Sequence, residues 1–435
     1  MILAFLALAG CGSDPEVVLI GIDGASWKVI GPMIEAGELR TLAALREQGA
    51  SMPEFETMGT TTSPIVWTTV ATGRTPREHG IRSFVTKLPH GGRIPVSSNA
   101  RRVPALWNVL TQYERRVGVI GWWATWPAEA VNGYVVTDHA NPAAADWMIH
   151  NGVQALWNLD PRKLTAQNRD TYPPALAGQL EPFWFDPDGF PYAEAAATGG
   201  LTPEQLHVLR GTPWHERSTY GWFKSFYAVD VPLARVARHL RTEQPVDLQM
   251  VYLRGPDPMQ HYSWDLVEPQ AFAERREHFE RDRGMVEAVY RYVDRALGEL
   301  LADVDADTHV IVCSDHGAEP ARGVSPLARE ARTGTHESTA RGVLFLRGPG
   351  VRADHQIEDA DPYDIAPTVL WLLGLPISDE IAGRPILEAF EDGFVDAHPI
   401  RRVAAYEPRP APTEEQGSPV DAALLERLRA LGYIE

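Results

Sequence analysis

Short apolar runs closed by polar clusters dominate this chain, and their lengths decide what they are. Residues 16–22 (Glu-Val-Val-Leu-Ile-Gly-Ile) are almost continuously apolar and rich in β-branched side chains, as in a strand covered on both faces. Runs of the same kind occupy 116–121, 246–253, 309–313 and 342–346. Between them the apolar positions move to helical spacing: Leu39, Leu42, Ala43 and Leu45 within 39–48, and Trp222, Phe223, Phe226, Tyr227, Val231 and Leu233 within 219–240. A charged helix follows over 272–301, and an apolar one opened by Asp364 covers 365–375. Strands alternating with helices predict an α/β fold, a doubly wound mostly parallel sheet flanked by helices. In such folds ligands gather at the carboxyl ends of the strands.

The alternation is lost in two long regions. Over 141–245 Pro and aromatic residues are frequent, which predicts an insertion in the 16–390 domain that packs over the site as a cap. Beyond 390 the chain reads as a C-terminal extension, with a Pro- and Glu-rich linker at 407–418. Leu424, Leu425, Leu428 and Leu431 then predict a terminal helix that docks back onto the domain, an oligomer contact being the alternative. At the other end, 1–9 is apolar but too short to span a bilayer. It reads as a secretory signal segment, 1–11. Its end, Leu8-Ala9-Gly10-Cys11, resembles the bacterial lipoprotein cleavage box. That resemblance implies lipid on Cys11, attachment to a membrane through it, and an exported, periplasmic or cell-envelope protein. The lack of Asp after the cysteine points to the outer membrane. No Lys or Arg precedes the run, so a start upstream or a first strand are the other readings.

One stretch is hydroxyl-rich: Thr60-Thr61-Thr62-Ser63-Pro64 leads into a helical segment ending at Gly73. Pro64 suits the first helical position, Ser63 the N-cap, and Gly73 the stop. Ser63 at the positive end of a helix is either a plain cap or a nucleophile whose alkoxide that end favours. A set of metal ligands elsewhere in the chain decides between them.

Composition narrows the partners. The net charge of −18 repels polyanions, which excludes a nucleic acid polymer as the natural partner but leaves a small phosphorylated substrate open where bound cations reverse the field locally. Two cysteines, Cys11 and Cys313, make neither a disulfide framework nor a cysteine zinc site. Three tryptophans at 122, 123 and 126 follow a predicted strand and read as core packing beneath a loop, or else as the floor of a pocket.

The chemistry collects at predicted strand ends: Asp23, Asp257 with His261, and Asp315 with His316, joined by His336 in a loop. Three Asp and three His are donors zinc accepts, and six side chains plus a hydroxyl suffice for a two-metal hydrolytic site. In order and spacing these residues resemble the alkaline phosphatase superfamily, and within it the type I phosphodiesterase/nucleotide pyrophosphatase family. The motifs are Ile22-Asp23-Gly24, Ser63-Pro64 with Thr72-Gly73, His79-Gly80-Ile81, Asp257 with His261, Ser314-Asp315-His316-Gly317 and Gly334-Thr335-His336. The resemblance implies two divalent metal ions, Zn2+ or else Mn2+. Asp23, Asp315 and His316, with the oxygen of Ser63, would hold one, and Asp257, His261 and His336 the other. It implies Ser63 as nucleophile, with Thr62 as runner-up, and hydrolysis of a phosphoric ester through a phosphoseryl intermediate, on a diester or a monoester. A phosphoryl-alcohol transferase, a phosphoglycerate mutase-like enzyme and a catalytically silent surface binding protein are the alternatives. The chain departs from the pattern at Val66, where nucleotide pyrophosphatases carry an asparagine that binds phosphate oxygen, and it lacks the nucleophilic cysteine of sulfatases.

Overall fold

The computed structural model describes residues 17–87, 93–141, 169–185, 189–214, 216, 218–321, 332–336 and 340–409. The expected signal segment with Cys11, the end of the 407–418 linker and the terminal leucine helix lie outside the described residues.

In chain order the elements are β1 (Val17–Ile22), α1 (Trp27–Glu35), α2 (Arg40–Gln48), β2 (Ala50–Phe55), α3 (Ser63–Thr72), α4 (Pro76–His79), α5 (Leu106–Gln112), β3 (Val117–Ile120), β4 (Gly133–Val136) and β5 (Thr171–Tyr172). There follow α6 (Tyr192–Gly199), α7 (Thr219–Glu243), β6 (Leu248–Leu253), α8 (Asp257–Ser263), α9 (Met285–Leu301), β7 (His309–Cys313), β8 (Gly342–Arg347), β9 (His355–Gln356), α10 (Ile365–Leu372) and α11 (Asp392–Ala397). Further helices, among them Pro203–Gly211 and the Arg276–Asp282 helix that carries His278, and short helical turns connect some of them.

The nine strands form one sheet in the order β9-β2-β8-β7-β1-β6-β3-β4-β5. Its centre, β7-β1-β6-β3-β4, is parallel. β8 runs antiparallel to both β7 and β2, and β5 antiparallel to β4. The sheet is thus mostly parallel, as the buried apolar runs require. Both faces are covered: Val18, Ile20 and Ile22 of β1 pack into a core with α1, α2, α7 and α9, while Val17 and Leu19 pack into another with α3, α5 and α10. A strand with no solvent face has no polar position, which is why 17–22 reads as unbroken.

The structure adds to or corrects several expectations. Residues 27–35 are helical, and 76–79 form a helical turn closed by a Thr75–Glu78 capping box rather than a plain turn. Within 141–245, α7 packs on α9 and β6 as part of the helical layer, and β5 extends the sheet edge; residues 142–168 lie outside the described residues. The region expected to begin a C-terminal extension is folded in: α11 stacks Phe394 on Phe390 and sets it edge-on to Trp371, and Arg402–Val403 pairs with Ile377–Ser378. Arg409 then reaches Glu129 and the carbonyls of Ser98 and Arg101. Cys313 is buried in β7, where burial pushes its thiol far up, out of the reactive range. Trp122, Trp123 and Trp126 are buried too. Among the described residues no helix is long and apolar enough to cross a membrane.

Candidate active site

β1, β6 and β7 are adjacent and parallel, so their carboxyl ends open on one edge of the sheet. Asp23 follows β1, Asp315 and His316 follow β7, and α8 begins four residues after β6. Asp257 and His261 sit four apart on α8, which places them on one face. His336 follows the two-residue strand Gly334–Thr335. Gly24 makes the approach possible: at φ +70° a Cβ there would lie 2.6 Å from the Asp257 Cβ. Its N–H donates to Asp315 Oδ1 at 3.2 Å and its carbonyl accepts from Gln260 Nε2 at 2.6 Å, so this one residue joins the loops after β1 and β7 to α8.

All six predicted ligands converge, in two groups. Asp23, Asp315 and His316 offer atoms within 4.8 Å of one another, and so do Asp257, His261 and His336. In the first, His316 Nε2 stands 3.4 Å from both Asp23 Oδ1 and Asp315 Oδ2. In the second, His261 Nε2 is 3.1 Å from His336 Nε2 and 3.3 Å from Asp257 Oδ1. The groups adjoin: Asp257 Oδ1 lies 4.0 Å from His316 Nε2, and the rings of His316 and His336 stack at 3.8 Å.

Ser63 is not the cap the sequence suggests. Ile65 and Val66 donate their N–H to the carbonyl of Thr62, which makes Thr62 the N-cap residue and puts Ser63 and Pro64 first and second in α3. Freed from capping, the buried Ser63 hydroxyl donates to Asp23 Oδ1 at 3.4 Å. The stop at Gly73 is as expected, with φ +64°. Val66 is fully buried in the core on the α3 side of the sheet. His79 is buried between Ile81 N–H, which donates to its Nδ1, and Thr69 Oγ1, which pairs with its Nε2, both at 3.1 Å. That pattern fixes it as a neutral imidazole pinning α4 to α3, and burial lowers its pKa to about 3.

The electrostatics of the two groups differ. Burial alone would lower His316, but Asp315, Asp23 and Asp257 raise it to about 10. Burial pushes Asp315 well up, and the charge of Asp23 adds to it. Burial would raise Asp23 too, but the neighbouring His316 and the Tyr252 hydroxyl hold it below the usual carboxylate range. His261 and His336 go the other way: burial first, then Arg332 and His316 respectively, bring each down to about 3. Three carboxylates in one cleft, two of them buried, want positive charge, and two neutral imidazoles face them with lone pairs.

These residues fit cations. Asp315 Oδ2, His316 Nε2 and His336 Nδ1 are buried without a hydrogen-bond partner, an arrangement that costs free energy unless something else satisfies them. His261 Nδ1 is bonded to the Gly334 carbonyl at 3.2 Å and His316 Nδ1 to the Gly317 carbonyl at 2.9 Å, so in both rings Nδ1 carries the hydrogen and Nε2 is presented to the cleft. An oxygen and imidazole set of this kind suits zinc or manganese.

Sequence reading missed Tyr252, whose hydroxyl donates to Asp23 Oδ2 while accepting from Trp123 Nε1 at 2.7 Å. Inside an apolar strand it looks like any core aromatic. It also missed Gln260, held by Tyr290, whose hydroxyl donates to it at 2.8 Å and accepts from Ser26 N–H. Both stand beside a ligand or a motif glycine, the only signal either carried.

Comparison with known proteins gives the family and the fold. Residues 17–365 match the type I phosphodiesterase/nucleotide pyrophosphatase family. The chain belongs to that family. A 131-residue stretch is 28% identical to arylsulfatase K of human and of dog, covering 28% of this chain and 23% of theirs; the chain thus matches under a quarter of the length of these curated relatives. Among solved structures, a 2-O GAG sulfatase superposes with a TM-score of 0.50 at 13% identity, over 86% of this chain and 73% of that one. Murine ectonucleotide pyrophosphatase/phosphodiesterase 5, an inactive T72A variant in complex with AMP, gives 0.49 at 11% identity, over 87% of this chain and 100% of that one. The fold is that of the alkaline phosphatase superfamily, and the family to which the chain belongs is one of hydrolases.

Proposed function

We propose that this protein hydrolyses a phosphoric ester with two divalent cations, using Ser63 as the attacking group. The observation that carries the reading is the meeting of six ligand side chains in one cleft with the Ser63 hydroxyl donating to one of them. Asp23, Asp315 and His316 would hold one cation with the Ser63 oxygen, and Asp257, His261 and His336 the other, zinc before manganese. Bound there, the cations would supply Lewis-acid stabilisation of charge developing on the attacking, leaving and non-bridging oxygens.

The chain's own groups do the rest. Ser63 sits in the first turn of α3, where the helix end favours negative charge on its oxygen. Its proton already points at Asp23 Oδ1, so that carboxylate orients a lone pair of Oγ toward the cleft. Tyr252 occupies the other Asp23 oxygen and fixes the carboxylate in place. Attack on phosphorus forms the Ser63 Oγ–P bond and breaks the bond to the departing alcohol; water then cleaves the phosphoseryl ester, returning Ser63 with its proton. The substrate is a small phosphorylated molecule. Nucleotides are disfavoured among them because Val66 offers no amide to a phosphate oxygen and is buried in the core. Export and lipid attachment at Cys11 belong to the same proposal, since they would place this chemistry at the cell envelope.

The test is a screen of nitrophenyl phosphate mono- and diesters with chelator-stripped protein resupplied with zinc or manganese. Turnover is expected with about two ions bound, and Ser63→Ala should fall to background while keeping both. Full turnover in Ser63→Ala moves the nucleophile to Thr62. Two bound ions without hydrolysis of any ester would sink the enzyme reading.

A further inference from the structure

Below the cleft lies a buried polar cluster that the chemistry above does not use. Thr333, fully buried, accepts the N–H of Trp264 at 2.8 Å and of Asp265 at 3.3 Å on its Oγ1, and donates from it to Asp265 Oδ1 at 3.1 Å. Asp265 Oδ2 accepts from Arg275 Nε at 2.8 Å and from His278 Nδ1. The other ring nitrogen of His278, Nε2, reaches Asp282 Oδ2 at 3.1 Å, with Thr219 Oγ1 alongside at 3.2 Å. Thr219 in turn bonds Ser263 Oγ, the last residue of α8, at 3.1 Å.

Where this cluster sits is what gives it a use. Asp257 and His261 come from α8, and His336 comes from a strand more than seventy residues later. Thr333 ties the chain just before His336 to the turn that follows α8, through the N–H groups of Trp264 and Asp265. One residue on, Gly334 presses so close to α8 that a Cβ would lie 2.2 Å from the Gln260 carbonyl, and its own carbonyl takes the His261 Nδ1 hydrogen. A shift at Thr333 therefore moves His336 relative to His261 and Asp257. Among the described residues, the strand-end candidates Asp23, Asp315 and His316 take no side-chain hydrogen bond from Thr333, Asp265 or His278.

We propose that His278, Asp265 and Thr333 are positioning residues that set His336 against Asp257 and His261, so that cation affinity at this group, and not at the other, depends on the charge of His278. The inference rests on the two-cation reading above. Both nitrogens of His278 donate to carboxylates, which only the imidazolium can do; burial opposes that charge, but Asp265 and Asp282 together raise its pKa. The charged and titratable groups facing His278 are Asp265 from the turn after α8, Arg275 from the turn before its own helix, and Asp282 from that helix, the last paired with Arg281 and bonded to Tyr220 of α7. When His278 loses its proton it keeps one donor for two carboxylates, and the clamp on Asp265 loosens.

The experiment is calorimetric titration of zinc into chelator-stripped wild type, Thr333→Val, Thr333→Ser and His278→Gln, with His336→Ala marking which binding event belongs to the α8 group. Thr333→Val is expected to weaken that event by about tenfold or more and leave the other unchanged, while Thr333→Ser, which keeps the hydroxyl, binds as wild type does. His278→Gln should weaken the same event near neutrality, and its difference from wild type should shrink as pH rises beyond the ordinary histidine range and through the raised pKa of His278. Unchanged affinity in both Thr333→Val and His278→Gln, equal weakening of both events, or a pH-independent difference overturns the relay. If Thr333→Val does not fold, His278→Gln alone decides, because its pH profile reads the charge and not the packing. Wild type that binds no zinc overturns the two-cation reading and the relay with it; two clean events with indifferent variants overturn the relay only.

Discussion

The two ligand groups are chemically near twins and structurally unlike. Asp23, Asp315 and His316 stand at the ends of central parallel strands, and none of the three is more than 4% exposed. Their loops are sewn together: Gly24 N–H to Asp315, Ala25 N–H to Ser314 Oγ, Ser314 Oγ–H to the His316 carbonyl. Asp257, His261 and His336 stand on a seven-residue helix and a two-residue strand, their side chains 13–20% exposed. The lesson is that a sheet supplies a rigid, desolvated half of the site, while the other half depends on side-chain ties such as Thr333–Asp265 to hold its shape. Charge is unequal between them in the metal-free protein: the first half holds a protonated histidine and the second two neutral ones.

The sharpest way to break this contrast is to delete one histidine from each half and melt the metal-free proteins. His316→Ala removes the cation between the buried carboxylates Asp23 and Asp315 and should cost about 3–5 kcal/mol, whereas His336→Ala, which deletes a neutral and partly exposed ring, should cost about 1 kcal/mol or less. Equal losses would show that the two halves are equally strained. Tyr252→Phe comes next: it strips a donor from Asp23 Oδ2 and leaves the Trp123 N–H unpaired, for about 1–3 kcal/mol, and it should weaken the strand-end cation by at least about tenfold with little change at the α8 group. Isothermal titration of the variant checks both halves in one run.

The mildest effect is on pH. In the metal-free fold His316, raised to about 10, keeps a proton that the unfolded chain sheds near pH 6.5, and Asp315 is raised in the same sense. The folded state then binds more protons than the unfolded one, so stability falls as pH rises from about 6.5 toward 10, by at most about 1.4 kcal/mol per pH unit for each proton. His261 and His336, neutral in the fold but titrating near 6.5 in the unfolded chain, oppose this slope up to about pH 7.5 and add nothing above it. Loading the cations should flatten it, because His316 then serves as a neutral ligand. Chemical denaturation at several pH values, with and without zinc, reads the difference; a metal-free protein whose stability is flat over that range would count against the charge imbalance.

Much of the fold was visible in one dimension because covered strands leave an unmistakable trace. The runs at β1, β3, β6, β7 and β8 all appear where burial on two faces leaves no polar position. The same logic marked Asp23, Asp257 and Asp315, the first acids after apolar runs. It did not mark α1, where Gly31 and Pro32 blur the helical signal. Nor did it reveal that residues 391–409 belong to the domain, since their anchors, Phe394 on Trp371 and Arg409 on Glu129, are pairings with distant partners.

Order along the chain, the strand-ending acids, the ligand types and a helix running from a hydroxyl cluster to Gly73 were determined by the sequence alone, because each follows from residue type and spacing within a few positions. The tertiary structure decided which oxygen Ser63 addresses, that Thr62 and not Ser63 closes the helix, and that Tyr252 joins His316 in steadying Asp23. It also decided that the six ligands divide into a rigid half and a tethered half. Those outcomes depend on contacts such as Gly24 to Asp315, 291 residues apart, and nothing in local periodicity reports which of many possible closures the packed core selects.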